Sequence, residues 1–346
     1  MPDLQKIIAL VESKRKTSLP WNRQEVVPQP YYTFKPESQS WKPCTTESVS
    51  ASAHPTPTTF NVLSWNIDFM LPYEDQRMTV ALNHLHELTT RNSHPSIIFL
   101  NEMLESDLLL IQSQPWIRSS YHVTDLDKEH WESGHYGTTT LIHHSLPISR
   151  TFRVHYSATK MERDGLFVDL TFANPDRTIR LCNTHLESLI ADPPLRPEQV
   201  KTTAKYLHES GIAGGIMGGD FNAIQPFDRT LHSDNNLKDA FLVHGGNEDD
   251  DAGYTWGQMA PVKQREMFGC SRMDKLFFCG DALECIGFER FGLGVKVEDK
   301  AVEKQLIEVE GMDGGWVTDH AGVWGVFKVI GGDIEKVGQG KSAAKM

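Results

Sequence analysis

Asp220 and Asn222 sit in Gly218-Gly219-Asp220-Phe221-Asn222, at the end of an apolar run from Ile212 to Met217. Paired glycines let a backbone turn sharply and approach a ligand, and the i, i+2 spacing puts both polar side chains on one face of a strand. The carboxylate can take a proton, whereas the amide can only hydrogen-bond. Asp and Asn are also ordinary turn residues, so the motif gains meaning from its company. Other apolar runs end in the same way, in Ser64-Trp65-Asn66-Ile67-Asp68, in Asn101-Glu102 and in Asn183-Thr184-His185-Leu186-Glu187, while Met273-Asp274 and Thr318-Asp319-His320 stand just before later apolar runs. Acids, histidines and amides, each anchored beside an apolar run, make a catalytic set.

Carboxylates and amide oxygens without cysteine suit a hard cation, Mg²⁺ with Mn²⁺ as a substitute, which keeps waters and takes substrate phosphate oxygens. Histidines beside it can donate to phosphate oxygens as charge shifts in the transition state, and a carboxylate left free of metal can activate water. This is equipment for metal-assisted phosphoester hydrolysis. Zinc is not expected, because there is no His-Glu-x-x-His and Cys44, Cys182, Cys270, Cys279 and Cys285 include no Cys-x-x-Cys pair. These cysteines read as reduced thiols, mostly packed inside. A Gly-x-Ser-x-Gly elbow, a phosphate-cradling Gly-x-x-x-x-Gly-Lys and a dinucleotide fingerprint are also missing. The acidic run Glu248-Asp249-Asp250-Asp251 lacks the alternating ligands of a calcium loop and reads as a mobile surface loop.

The elements that must hold these residues alternate between strand and helix patterns. Phe60 to Ile67 and Ser96 to Leu100 read as strands, with an amphipathic helix between them from Glu74 to Thr89 and a short helix at Glu105 to Gln112. Tyr121 to Val123, Gly137 to His143, Ile148 to His155, Leu166 to Phe172 and Thr178 to His185 read as successive strands of an antiparallel run. A helix from Pro197 to Glu209 leads into the Ile212 strand, and Lys275 to Phe278 and Ala321 to Val329 supply later strands. Two groups of strands plus helices predict an α+β sandwich of two sheets with helices outside.

Before that domain, residues 1 to 57 combine a short helix from Asp3 to Lys14 with a Pro-, Ser- and Thr-rich stretch, read as an extended arm or linker lying on the domain through Trp21, Tyr31, Tyr32, Phe34 and Trp41. Residues 331–346 read as a disordered tail. The domain itself is expected at 58–330, a size that suits 346 residues with 39% hydrophobic content. With 34 Lys and Arg against 46 Asp and Glu, the formal charge of -12 argues against a protein that coats DNA, yet allows contact with a few phosphates at a strand end. No apolar run approaches the roughly 18 residues of a membrane span, and Met1 to Val11 lacks the order of a signal peptide, so a soluble, intracellular protein is expected.

The ordered series Trp-Asn-x-Asp, Asn-Glu, Asn-Thr-His-Leu, Gly-Asp-x-Asn and a late Asp-His, spanning about Phe60 to Lys328, resembles the endonuclease/exonuclease/phosphatase superfamily. Ser64-Trp65-Asn66-Ile67-Asp68, Thr159-Lys160-Met161, Asn183 to Ser188, Tyr254-Thr255-Trp256 and Arg272-Met273-Asp274-Lys275 most resemble its 5′-tyrosyl-DNA phosphodiesterase branch. The resemblance implies a four-layer α/β/β/α sandwich of two mixed, mainly antiparallel sheets. It implies Glu102 as principal metal ligand with Asp68 and Asp319 near the metal, and Asp220 as the base that positions water. Asn222 and Asn66 would orient water and phosphate, His185 and His320 would stabilise the transition state, and Asp274 would hold the His320 ring. Trp256 is then the stacking candidate, with core packing as its alternative, and Lys160, Arg163, Arg272 and Lys275 are candidate phosphate contacts. The implied substrate is a DNA 5′ end carrying a tyrosyl or peptide adduct, and that task implies the nucleus, with cytoplasm as the alternative. The alternatives to that substrate are RNA, nucleotide, or lipid and inositol phosphates on the same fold, or a binding protein without turnover. This chain departs from the branch at Met273, Thr138 and Ile224, where the branch has two aromatic residues and an arginine.

Overall fold

The computed structural model describes residues 4–44, 57–173 and 176–330. Strict alternation along the strand Thr59–Asn66 shows how its layers arise. Phe60 and Val62 face one side, and Leu63 and Trp65 the other, all fully buried. A strand buried on both faces needs cover on each, and four layers follow.

The elements are α1 (Leu4–Lys14), β1 (Val26–Pro28), β2 (Tyr31–Lys35), β3 (Ser40–Cys44), β4 (Thr59–Asn66), α2 (Glu74–Arg91), β5 (Ser96–Leu104), α3 (Glu105–Ser113), α4 (Pro115–Ser120) and β6 (Tyr121–Val123). There follow β7 (Tyr136–His143), β8 (Ile148–His155), β9 (Asp164–Ala173), β10 (Asp176–His185), α5 (Arg196–Leu207), β11 (Ile212–Asp220), α6 (Leu231–Asp234) and β12 (Lys238–Asp239). The last are α7 (Ala240–Val243), α8 (Val262–Phe268), β13 (Asp274–Cys279), β14 (Leu283–Phe291), α9 (Lys300–Glu308) and β15 (Gly322–Val329). One sheet has 7 strands in the order β1-β8-β9-β10-β11-β13-β12, and the other has 8 in the order β14-β15-β4-β5-β7-β6-β2-β3. Phe60, Phe99, Val168, Leu181, Ile216 and Phe327 fill the space between the sheets. Residues of α2, α3 and α9 cover the outer face of the larger sheet, and α5 covers the smaller one. The α+β four-layer sandwich is therefore present.

Two expectations need correction. The run from Tyr121 to His185 is not one antiparallel group: β6 and β7 pair in the larger sheet, whereas β8, β9 and β10 pair in the smaller one. The chain changes sheet at His144 to Pro147, a crossing that hydrophobic alternation cannot reveal because either sheet demands the same period. The expected arm, in turn, is built into the fold. Val26–Pro28 pairs with β8 at one edge, while β2 and β3 pair with each other at an edge of the other sheet. Its prolines are compatible with this because edge strands have one side free of ladder bonds. The helix expected at Asp3 to Lys14 is α1, whereas residues 45–56 and the tail at 331–346 lie outside the described residues.

The polar strand ends gather because of register. β4 runs parallel to β5, with Asn66 opposite Asn101, and β10 runs parallel to β11, with His185 opposite Asp220 and Asp220 opposite Asp274 of β13. Both parallel pairs therefore finish at the same pole of the sandwich. There the loop after β4 is fixed by Arg77 of α2, which is 1% exposed. Its guanidinium donates to the carbonyls of Ile67 (2.6 Å), Asp68 (2.7 Å), Leu71 (2.8 Å), Pro72 (2.9 Å) and Val317 (2.7 Å). Those bonds tie the loop bearing Asp68 to the segment just before Asp319. Arg77→Met would leave several buried carbonyls unpaired, each costing about 1–3 kcal/mol. The expected result is a loss of about 3 kcal/mol or more in urea unfolding, and a loss below about 1 kcal/mol would show that water replaces the guanidinium freely.

Candidate active site

Asp220 is the centre of the polar pole. Its Oδ1 accepts from the Asn222 backbone N–H at 2.8 Å, and its Oδ2 accepts from Asn66 Nδ2 at 3.0 Å. Two histidine nitrogens face the same Oδ2, His185 Nε2 at 3.4 Å and His320 Nε2 at 3.8 Å. The preceding Gly219 has φ +142°, and a Cβ there would lie 1.7 Å from the Thr184 carbonyl oxygen, so only glycine lets β11 close on β10 at this point.

Glu102 reaches the site through a local irregularity. The ladder between β5 and β7 shifts register between Leu100 and Met103, and Glu102 takes φ +60°. A bulge re-aims a side chain that strict alternation would send to the opposite face. Glu102 Oε1 accepts from Asn66 Nδ2 at 3.1 Å, and Oε2 accepts from the Phe69 backbone N–H at 3.0 Å. Asn66 thus joins Glu102 to Asp220. Asp68, also at positive φ, accepts from the Met70 N–H at 2.8 Å.

The two histidines are held in different states. Arg163 Nη1 lies 2.6 Å from His185 Nδ1. An arginine has only donors, so Nδ1 must accept and the ring proton sits on Nε2. Burial, reinforced by the Arg163 charge, lowers this histidine to about 4, so it stays neutral. Its Nε2–H has no hydrogen-bond partner and points between Asp220 and Glu102, 3.6 Å from Glu102 Oε1. His320, by contrast, has Nδ1 2.8 Å from Asp274 Oδ2. Burial works against its charge, but Asp274, Asp319 and Asp220 prevail and raise it well above the ordinary histidine value. The result is a neutral donor and an imidazolium on either side of one carboxylate. Although burial opposes ionisation of Asp220, the His320 charge and the nearby His185 Nε2–H hold it below the usual carboxylate range.

The remaining acids are crowded together and desolvated. Burial pushes Glu102 up to about 7, with the Asp68 charge adding to it, and the same two causes push Asp319 up to about 7. Desolvated carboxylates crowded together in this way are relieved by a divalent ion, so the donor set fits one. Among the described residues, the groups whose potential ligand atoms all lie within 4.8 Å of one another are Glu102 with His185 and Asp220, and Asp220 with Asp274 and His320. Among the described residues Asp68 and Asp319 join no group that tight. The histidine states bear on this: a protonated Nε2 cannot ligate, which leaves the carboxylates as ligands.

Not every expected substrate contact is exposed at the site. Trp256 is 9% exposed, packs with Ala260 and Met273, and donates its indole N–H to Asp319 Oδ2 at 2.7 Å, so it is a core residue that orients an acid and offers no open stacking face. Arg272 and Lys275 are buried in ion pairs, Arg272 with Asp239 at 2.8 Å and Lys275 with Glu248 at 2.7 Å, and are not free to meet phosphate. Glu248, expected in a mobile loop, also pairs with Arg272 and is therefore fixed. Burial of unlike charges together is invisible in a one-dimensional sequence. Lys160 is exposed at the rim, and Arg163 is committed to His185 and to Ser188 Oγ at 3.0 Å.

Several residues that the motifs contain had no role assigned from sequence, and Phe69 and Tyr136 were not singled out at all. Asn101 Nδ2 donates to Asn183 Oδ1 at 2.8 Å while Asn101 Oδ1 accepts from the Asp220 N–H at 3.0 Å, so one amide bridges the sheets and fixes the catalytic strand. Thr318 Oγ1 donates to the Asn66 carbonyl at 2.9 Å, and Thr255 Oγ1 accepts from the Asp274 N–H at 2.9 Å. Phe69 stacks on Tyr136 at 4.1 Å between ring centroids, making an aromatic wall beside Glu102 and Arg163. Asn101, Thr255 and Thr318 stood inside the motifs, but their partners lie far away in sequence and nothing local names them.

The sequence profile of the Endonuclease/Exonuclease/phosphatase family matches residues 63–320. The chain belongs to that family. No curated protein matches it. Among solved structures it is similar to humanized D. rerio TDP2 carrying 14 mutations, with 18% identity, 79% of this chain and 100% of that one covered, and a TM-score of 0.59. D. rerio TDP2 complexed with single strand DNA product gives 17% identity, coverage of 79% and 100%, and a TM-score of 0.57. The human Nocturnin catalytic domain with bound sulfate anion gives 16%, coverage of 79% and 95%, and 0.54. At these identities the likeness shows the fold.

Removing the donor to Asp319 isolates the contribution of Trp256. Trp256→Phe is expected to raise the Mg²⁺ concentration needed for half-maximal thermal stabilisation by about tenfold, as when an outer partner of a metal ligand is lost. An unchanged metal titration would remove Asp319 from the metal's surroundings.

Proposed function

We propose that residues 58–330 form a metal-dependent phosphodiesterase that hydrolyses the bond between a protein tyrosine and a 5′ DNA phosphate. The carrying observation is Asp220, held ionised between a neutral His185 Nε2–H and the His320 imidazolium. The motif resemblance to the tyrosyl-DNA branch and the fold shared with a TDP2 structure holding a single strand DNA product support the choice of substrate.

Glu102, with Asp68 and Asp319, would hold Mg²⁺, which when bound places positive charge beside the phosphate oxygens. Asp220 accepts a hydrogen bond from water, orients it, and takes its proton as the new P–O bond forms; Asn66 and Asn222 fix the water and phosphate. Because phosphoryl transfer is loose, the attacking water needs its proton removed late, which suits a base of modest strength. His185 and His320 donate to the oxygens on which charge accumulates, and neither needs to reorganise to do so. The departing phenol has a pKa of about 10 and leaves with less help than an aliphatic alcohol. Tyrosine then departs with its protein, and the phosphate stays on the DNA. Lys160 at the rim and the half-buried Phe69 ring, backed by Tyr136, are available to the flanking strand. Repair of such adducts in the nucleus follows as the cellular task.

A second reading, the same chemistry on an RNA end, nucleotide, or lipid or inositol phosphate, draws on the burial of Trp256, Arg272 and Lys275, which removes contacts expected for a DNA end. Release of tyrosine from a 5′-tyrosyl oligonucleotide, with Mg²⁺ and with EDTA, separates the two. Wild type is expected to cleave only with metal, Glu102→Gln to lose metal-supported cleavage, and Asp220→Asn to fall by about 10²-fold or more with its thermal midpoint kept. Intact tyrosyl substrate alongside hydrolysis of another phosphodiester would establish the second reading, and a loss of only a few fold in Asp220→Asn would dismiss it as the base.

A further inference from the structure

The segment from Lys14 to Arg23 precedes the family match, yet it lies against the catalytic centre. A narrow pocket of 20 Å³ opens beside His185 and is walled by Glu132, Tyr136, Glu162, Arg163 and Asp164. Two of those acids are met by the segment. Arg15 pairs with Glu162 at 2.8 Å and donates to the Lys160 carbonyl at 3.3 Å, while Arg23 Nε donates to Glu132 Oε1 at 2.9 Å.

The contact is built, as its other members show. Trp21 stacks on His155 with centroids 4.3 Å apart and planes at 6°. Lys16 Nζ donates to the Lys128 carbonyl at 3.2 Å. Gly134, at φ +69°, lets the Lys14 carbonyl come so close that a Cβ there would stand 2.3 Å from it. The Gln24 N–H then donates to the His155 carbonyl at 2.7 Å, just before β1 joins the smaller sheet. Lys14 and Arg15 remain solvent-exposed on the outside of this strap, as does Lys160 beneath it.

We propose that this strap is one wall of the substrate cleft, where Arg15 cancels the charge of Glu162 so that the phosphates of a single DNA strand can lie along Lys14 and Lys160. The inference rests on the phosphodiesterase reading. Its physical basis is local: a molecule of formal charge -12 repels polyanions as a whole, so the charge within a Debye length of the cleft decides whether a strand can approach. Without Arg15, Glu162 would present an unpaired carboxylate at the pocket that leads to His185. With it, the acid anchors the strap and the remaining positive charge faces outward.

The test is binding of a fluorescent, 5′-phosphorylated single-stranded oligonucleotide to the full chain by anisotropy, without metal so that no turnover intervenes. Arg15→Gln is expected to weaken binding about three- to tenfold, the range for losing one partly exposed ion pair and exposing its partner. Arg15→Gln with Glu162→Gln is expected to return to within about twofold of wild type, because the uncovered charge is gone. Glu162→Gln alone should bind at least as tightly as wild type, and it reads the same effect if Arg15→Gln loosens the strap. An unchanged Arg15→Gln overturns the proposal. So does a double variant as weak as the single one, which would make Arg15 a direct contact or a purely structural anchor. Failure of the phosphodiesterase reading looks different: the oligonucleotide binds as expected, yet wild type with Mg²⁺ leaves 5′-tyrosyl substrate intact.

Discussion

Two buried amides decide whether this sandwich has a site at all. His185, Asp220 and Asp274 from the smaller sheet and Glu102 and His320 from the larger one can converge only if the sheets are fixed in relative position, and apolar packing between them is tolerant of sliding. The Asn101 to Asn183 bond removes that freedom. Asn101 spends its other end on the Asp220 N–H, and Asn183 Nδ2 donates to the Thr139 carbonyl at 2.9 Å, so the amides are satisfied on both sides. A fully partnered polar network inside an apolar layer specifies one arrangement, because any shift leaves several groups unpaired together. Catalytic geometry here is inherited from that register.

With the register set, electrostatics sort the residues into roles. Asp220 and Glu102 share Asn66 as a donor, yet they are driven in opposite directions, one by the His320 charge and the other by desolvation and Asp68. Neighbouring acids whose affinities for the proton are pushed apart mark a division of labour. The histidines show the same division. Burial, with Arg163, denies His185 a charge, whereas three carboxylates give one to His320. The site therefore contains a proton acceptor, two donors of different strength and a cluster of acids suited to a cation, all within one desolvated pole.

Much of this was legible in the sequence, for a physical reason. Phe60 to Ile67 and Ile212 to Met217 are apolar enough to declare themselves as strands, and a strand fixes where its last residues point. Asn66, His185, Asp220 and Asp274 were found on that basis and do meet. What could not be read were pairings across the molecule. Arg272 and Lys275 looked like surface cations because nothing local names Asp239 and Glu248 as their partners. Trp256 could have been a platform or a core residue, and its bond to Asp319 joins residues 63 positions apart. Leu283–Phe291 passed unnoticed as a strand because its exposed positions include Glu284 and Glu289, with Gly287 at an irregular point of its ladder. The arm's strands were hidden by prolines that an edge tolerates.

Glu102 occupies the left-handed region at φ +60°, as do Asp68 at +58° and Asn222 at +48°. Short Asp and Asn side chains visit that region at little expense, but a glutamate does not, and such conformations cost on the order of 1 kcal/mol or more. Glycine at 102 would relax the backbone and erase the carboxylate. The position is thus one where thermal robustness and the arrangement of the acid cluster select different residues, and a search for stabilised variants of this fold would drift toward replacing Glu102 unless turnover were scored alongside.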